Sequence, residues 1–193
     1  MVKLSGYRTR AGNAKTNRTR LILQRIILSL LKEKTSAIMK KEIVEKSHFS
    51  GGTIQKHVGK GDDFIVEMMV PLYQQFHTVI ADYTVDHSPR GSLQWFVKQL
   101  YCDDEVRAIL AAASIYEKAF ANNGANLVEL LADDLRALLD QITEKEPGYS
   151  TWLPEHCVDN IRDIVVDVVE HGQRTIEAAT IRYETLVAVT VSA

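Results

Sequence analysis

The residues with the most chemistry to offer lie together in one short stretch, Ser50-Gly51-Gly52-Thr53-Ile54-Gln55-Lys56-His57 and on to Lys60. Gln55 and Lys56 carry donors suited to base edges exposed in a DNA groove. Gly51 and Gly52 lack Cβ atoms, so a helix that starts there can approach a nucleic-acid surface closely. Catalytic patterns are missing by comparison. The chain has no Gly-x-Ser-x-Gly elbow, no P-loop, no His-Glu-x-x-His and no Gly-x-Gly-x-x-Gly. His156 and Cys157 are neighbours and diverge on a helix, and no two histidines stand four apart, so His77, His87, Cys102, His156 and His171 read as surface or hydrogen-bonded residues. The sequence predicts neither an enzyme nor a metal or cofactor site.

Charge supports the same chemistry. Residues 1–60 hold fourteen Lys or Arg against three Glu, and the remainder holds nine basic against twenty-two acidic groups, although the whole chain is only −2. A polyanion-binding front end on a body that avoids the polyanion accounts for that split. The arm from Lys3 through Arg18 to Arg20 adds cations that can lie along phosphates or a minor groove. Two cysteines suit a reducing compartment, and neither a membrane-length apolar run nor a secretory leader is visible, so a cytoplasmic protein without membrane contact is expected.

These residues need elements to position them. Residues 1–16 lack apolar periodicity and read as a flexible arm. From Asn17 the apolar residues Leu23, Ile26, Ile27, Leu30 and Leu31 recur at helical spacing, with Thr16 or Asn17 as cap. A short helix over Met39 to Ser47, a turn at His48-Phe49-Ser50, and a third helix from Gly51 to Val58 capped by Ser50 follow. Asp62 or Asp63 opens a long fourth helix that contains Pro71, a residue that removes one backbone hydrogen bond and predicts a kink. A break is expected over 87–91, and further helices at about 92–101, 103–121, 124–143 and 155–189, the last interrupted near Gly172. Residues 186–191 are rich in β-branched side chains and are the one stretch ambiguous between strand and helix.

Two short helices around a tight turn, within a basic segment, match the layout of a helix-turn-helix. The run from Glu42 through Ile43-Val44, His48, Ser50-Gly51-Gly52-Thr53 and His57-Val58-Gly59-Lys60 resembles the DNA-binding signature of the tetracycline-repressor (TetR) family, over about Asn17 to Phe64. The match departs from the family pattern at three places. His48 stands where the family has glycine, at a position that needs positive φ; Gln55 replaces an aromatic phosphate contact; and Val58 replaces phenylalanine. The resemblance implies that Thr53, His57 and Lys60 touch the DNA backbone. It also implies an apolar ligand pocket in the helical body, for which Tyr73, Phe76, Trp95, Phe96, Tyr116 and Phe120 are candidate lining residues; core packing is the competing role for each.

The resulting expectation is an all-α protein: an arm over 1–16, a three-helix DNA-binding domain with a helix-turn-helix over 17–63, and a larger helical regulatory and dimerisation domain over 64–193. Its expected function is that of a transcriptional repressor, binding a palindromic double-stranded operator as a homodimer and released by a small-molecule inducer. An activator or nucleoid-associated factor, or a small helical enzyme or adaptor, are the alternatives. Two apolar stripes offer a dimer interface, Leu127, Leu130, Leu131, Leu135, Leu138 and Ile142 in one helix and Val158, Ile161, Val165, Val168 and Val169 in the next.

Overall fold

The computed structural model describes residues 14–58, 62–145 and 154–191. Among these there is no strand. Helix α1 spans Ala14–Glu33, α2 Lys40–Ser47, α3 Gly51–Val58, α4 Asp62–Asp86, α5 Pro89–Cys102, α6 Asp104–Ile115, α7 Glu117–Asn122, α8 Leu127–Lys145, α9 Pro154–Val165 and α10 Ile176–Val191; a π-helical turn, Val166–Glu170, extends α9. The ambiguous stretch at the end is therefore helical. No described helix is long and apolar enough to cross a membrane.

Several boundaries follow from caps. Asp103 ends α5 and starts α6: its N–H donates to the Gln99 carbonyl, and its Oδ1 accepts from the backbone of Glu105 and Val106. Ser88 accepts from Gly91 N–H at 3.1 Å, and Pro89 occupies the first turn, where its missing N–H costs nothing. That corrects the break expected over 87–91, whose last residues open α5. Asn126 and Thr175 cap α8 and α10 in the same way. Helix α1 begins upstream of Thr16 and Asn17, so neither is its cap.

A further correction comes from a tertiary contact. The single helix expected over 103–121 is split at Tyr116 (φ −116°, ψ 23°), whose ring is buried and whose hydroxyl accepts the Ile38 N–H at 2.8 Å. That long-range bond fixes Tyr116 off the helical path, which no local periodicity encodes. Near Gly172 (φ +67°) the chain leaves the π-turn, as expected. Pro71 is exposed within α4, which runs through it from Asp62 to Asp86 although Pro71 has no N–H for the Glu67 carbonyl.

Helix α6 is the hub. Every residue from Val106 to Ala113 is buried, and the helix packs against α1, α4, α5, α7, α8 and the π-turn. Its run of Ala111, Ala112 and Ala113 lets neighbours approach a helix that is enclosed on all sides. The two stripes expected to face a second subunit are instead packed inside this chain. Leu127, Leu131, Leu135, Leu138 and Ile142 are buried, as are Ile161, Val165, Val168 and Val169, because α8 and α9 lie against each other and on the core; Leu130 and Val158 are half-buried at its edge.

Candidate nucleic-acid interface

Helix α2 ends on Lys46 and Ser47, and the reversal to α3 is made at His48, the one non-glycine residue with positive φ among those described (φ 57°, ψ 14°). Its N–H donates to the Val44 carbonyl, a left-handed cap that glycine serves more cheaply. Phe49 is half-buried against the core. Ser50 then caps α3, its Oγ accepting from Thr53 N–H at 3.2 Å and lying 3.0 Å from Thr53 Oγ1.

The faces of α3 are sharply divided. Ile54 and Val58 are buried and hold the helix to the core, while Gly52, Gln55 and Lys56 are exposed and Gly51, Thr53 and His57 are half-buried. Neither glycine is required by the chain itself. A Cβ at Gly51 would meet nothing nearer than Lys40 Cε at 3.7 Å, and one at Gly52 nothing nearer than Ser50 Oγ at 3.9 Å, both ordinary contacts. Arg18 is exposed on α1. Lys60 lies outside the described residues, as does most of the arm.

Sequence reasoning missed Lys40. Its Nζ, on exposed α2, donates to Gln55 Oε1 at 3.0 Å, so Gln55 is held by a neighbouring helix. The other cations divide into two groups. Lys34 pairs with Glu42, Lys46 with Glu33 at 3.4 Å, and Lys41 with Glu45 at 3.7 Å. The Lys34 ammonium beside Glu42, and the Met39 N–H it accepts, hold the Glu42 carboxyl below its ordinary range. Arg25 and Lys56 are exposed and form no ion pair among the described residues.

The first three helices are tied to the body at two levels. Arg20 pairs with Glu67 and lies 5.1 Å from the Phe64 ring centroid, joining α1 to the start of α4. Deeper, buried Arg107 of α6 donates from Nη1 to the Leu31 carbonyl at 2.7 Å, satisfying the end of α1, and Tyr116 accepts from Ile38 in the α1–α2 loop.

The six aromatic candidates in the body all pack within or against the core. Phe76 stacks on Phe96 and tilts against Trp95, which in turn stacks on Tyr83 at 4.4 Å. Tyr73 donates to the Leu130 carbonyl and to Asp134 Oδ2, Tyr116 is committed to Ile38, and Phe120 is buried. A cleft of about 450 Å³ lies elsewhere, lined by Tyr101, Asp167, Arg182 and residues around the start of α10. Among the described residues no group of three His, Cys, Asp or Glu is placed to hold a metal ion.

No protein-family model matches this chain, and no curated protein matches it.

Proposed function

We propose that this protein is a DNA-binding transcriptional regulator of the kind its front end resembles, a TetR-like repressor that acts on a palindromic operator as a homodimer. The observation that carries the reading is the outward face of α3. It presents Gly52, Gln55 and Lys56 to solvent, follows a left-handed turn at His48, and begins with two glycines that the chain's own packing does not demand. Backbone N–H groups at a helix start are anion donors, and a missing side chain there admits a phosphate. Lys56 and Gln55 are base readers, Lys40 supports Gln55, and Thr53, His57, Lys60 and Arg18 serve the sugar-phosphate backbone.

Release by a small molecule is part of the same proposal. A ligand that favours a different separation of two recognition helices, ideally ~34–36 Å apart, weakens operator binding by its differential affinity for the two states. Selection of bound sequences from a random DNA library, followed by fluorescence anisotropy on the winners, tests the reading. Enrichment of an inverted repeat, with binding that survives excess random DNA, is the expected result. Equal affinity for all duplexes, or none, would reject it.

A further inference from the structure

The last helix has an unusual feature for a run so rich in Val, Ala and Thr, a half-buried arginine. Arg182 extends across to the C-terminal end of α5 and to the π-turn. Its Nη2 donates to Asp167 Oδ2 at 2.9 Å, its Nη1 lies 3.4 Å from Asp163 and 3.5 Å from Asn160 Oδ1, and its Nε lies 3.4 Å from the Tyr101 hydroxyl. Tyr101 in turn donates to the same Asp167 oxygen at 2.8 Å. Burial alone would lower the Arg182 pKa, but bonding to Asp167 and Tyr101 raises it, so the guanidinium stays charged. Burial pushes the Tyr101 phenol up to about 12, so it remains a donor.

Tyr101, Asp167 and Arg182 of this network line the cleft, and four of the five guanidinium N–H groups of Arg182 are accounted for within it. An anion entering would meet the carboxylates of Asp163, Asp167 and Glu177 against the single positive charge of Arg182. The acceptors are in surplus. Among the described residues Asp167 Oδ1 has no partner, exposed Glu177 on the rim has none either, and Arg182 is the only cation in the lining. Ala178 and exposed Ile181 supply an apolar wall, and Gln173, Thr175 and Thr185 complete the rim. The volume falls within the range of small-molecule sites. Asp167 belongs to the π-turn, where its carbonyl also accepts Gln173 N–H at 2.9 Å, and π-turns recur at functional sites.

We propose that the cleft between α5, the π-turn and α10 binds a small organic cation, a primary ammonium carried on a short apolar chain. The ammonium sits against Asp167 Oδ1 and Glu177, and the chain lies along Ala178 and Ile181. This site stands independently of the DNA-binding proposal.

Titrating the ¹⁵N-labelled full-length protein with hexylamine, hexanoate and hexanol separates the contributions. Saturable amide shifts centred on Gln173 to Arg182 are expected with hexylamine, and far weaker ones with the acid or the alcohol. Glu177→Gln, a surface change, is expected to weaken hexylamine binding by roughly three- to tenfold, and Glu177→Lys to abolish it while leaving the remaining spectrum in place. Asp167→Asn is the more severe variant but also loosens the Arg182 network, so the Glu177 pair carries the decision. Absence of saturable shifts, equal response to hexanol or hexanoate, or shifts at these amides that follow protein concentration instead of amine would each overturn the proposal; the last would mean that a second copy covers the cleft.

Discussion

His48 shows how far one backbone angle can be read ahead of the fold. The resemblance implies a left-handed residue here, where the family has glycine, and His48 adopts φ 57°, at a cost that glycine does not bear. His48→Gly is expected to raise stability by up to about 1 kcal/mol, and β-branched His48→Val to lower it by about 1–2 kcal/mol, both read from urea midpoints at unchanged slope. Lys56 is the sharper test of function. Exposed and without an ion pair among the described residues, it is expected to be replaceable by Ala without loss of stability. If Lys56 reads a base, Lys56→Ala narrows the gap between operator and random DNA by about 1–3 kcal/mol. Thr53→Ala, which removes a backbone contact, should weaken both alike. Anisotropy titrations on the two DNAs distinguish these patterns; unchanged affinities for both variants in a folded protein would remove α3 from the interface. Burial also pushes the Cys157 thiol up to about 11, so alkylation of Cys157 is expected only on unfolding.

Among the elements, α4 and α8 are joined by a buried carboxylate. Asp134 accepts from Tyr73 and from His77 Nδ1–H at 2.6 Å, with Asp133 nearby, and burial raises its pKa despite those bonds. The unfolded chain gives up this proton at lower pH than the folded chain does. Its contribution to stability is therefore fully present below the ordinary carboxylate range and declines as pH rises through the raised folded value. Asp134→Asn is expected to gain on the wild type in urea midpoint across that rise; a constant difference, or one of opposite sign, would contradict the assignment. None of this was legible in sequence, because Asp134 is a polar residue on a helix whose apolar stripe was plain and whose partner was not. The same limit explains the stripes of α8 and α9: periodicity shows that a face is buried, but not whether a neighbour in the chain or a second chain buries it. Helices with strong local signals, α2 and α3 above all, were placed to within a residue. The Tyr116 break, the Arg107 and Lys40 contacts and the cleft depend on residues far apart in sequence, and Arg182 was the only hint, a cation interrupting an apolar run.

At the scale of the whole molecule, two-fold pairing remains the strongest expectation of the proposed function, since an inverted repeat is met by two copies of one surface. Sedimentation equilibrium at micromolar protein should give twice the 21.7 kDa chain mass. A monomer throughout would leave the operator proposal without its second half-site. The partner surface must come from residues other than the buried leucines and valines of α8 and α9. The union of the front end with α6 has a practical corollary for protein engineering. Transplanting residues up to Gly61 onto a foreign body would cut the chain at a convenient place yet leave behind Arg107 and Tyr116, stranding the Leu31 carbonyl and the Ile38 amide and stripping the apolar side of α1 of the cover that α6 gives it. A working chimera would have to import α6 along with the graft, so the exchangeable unit is discontinuous in sequence.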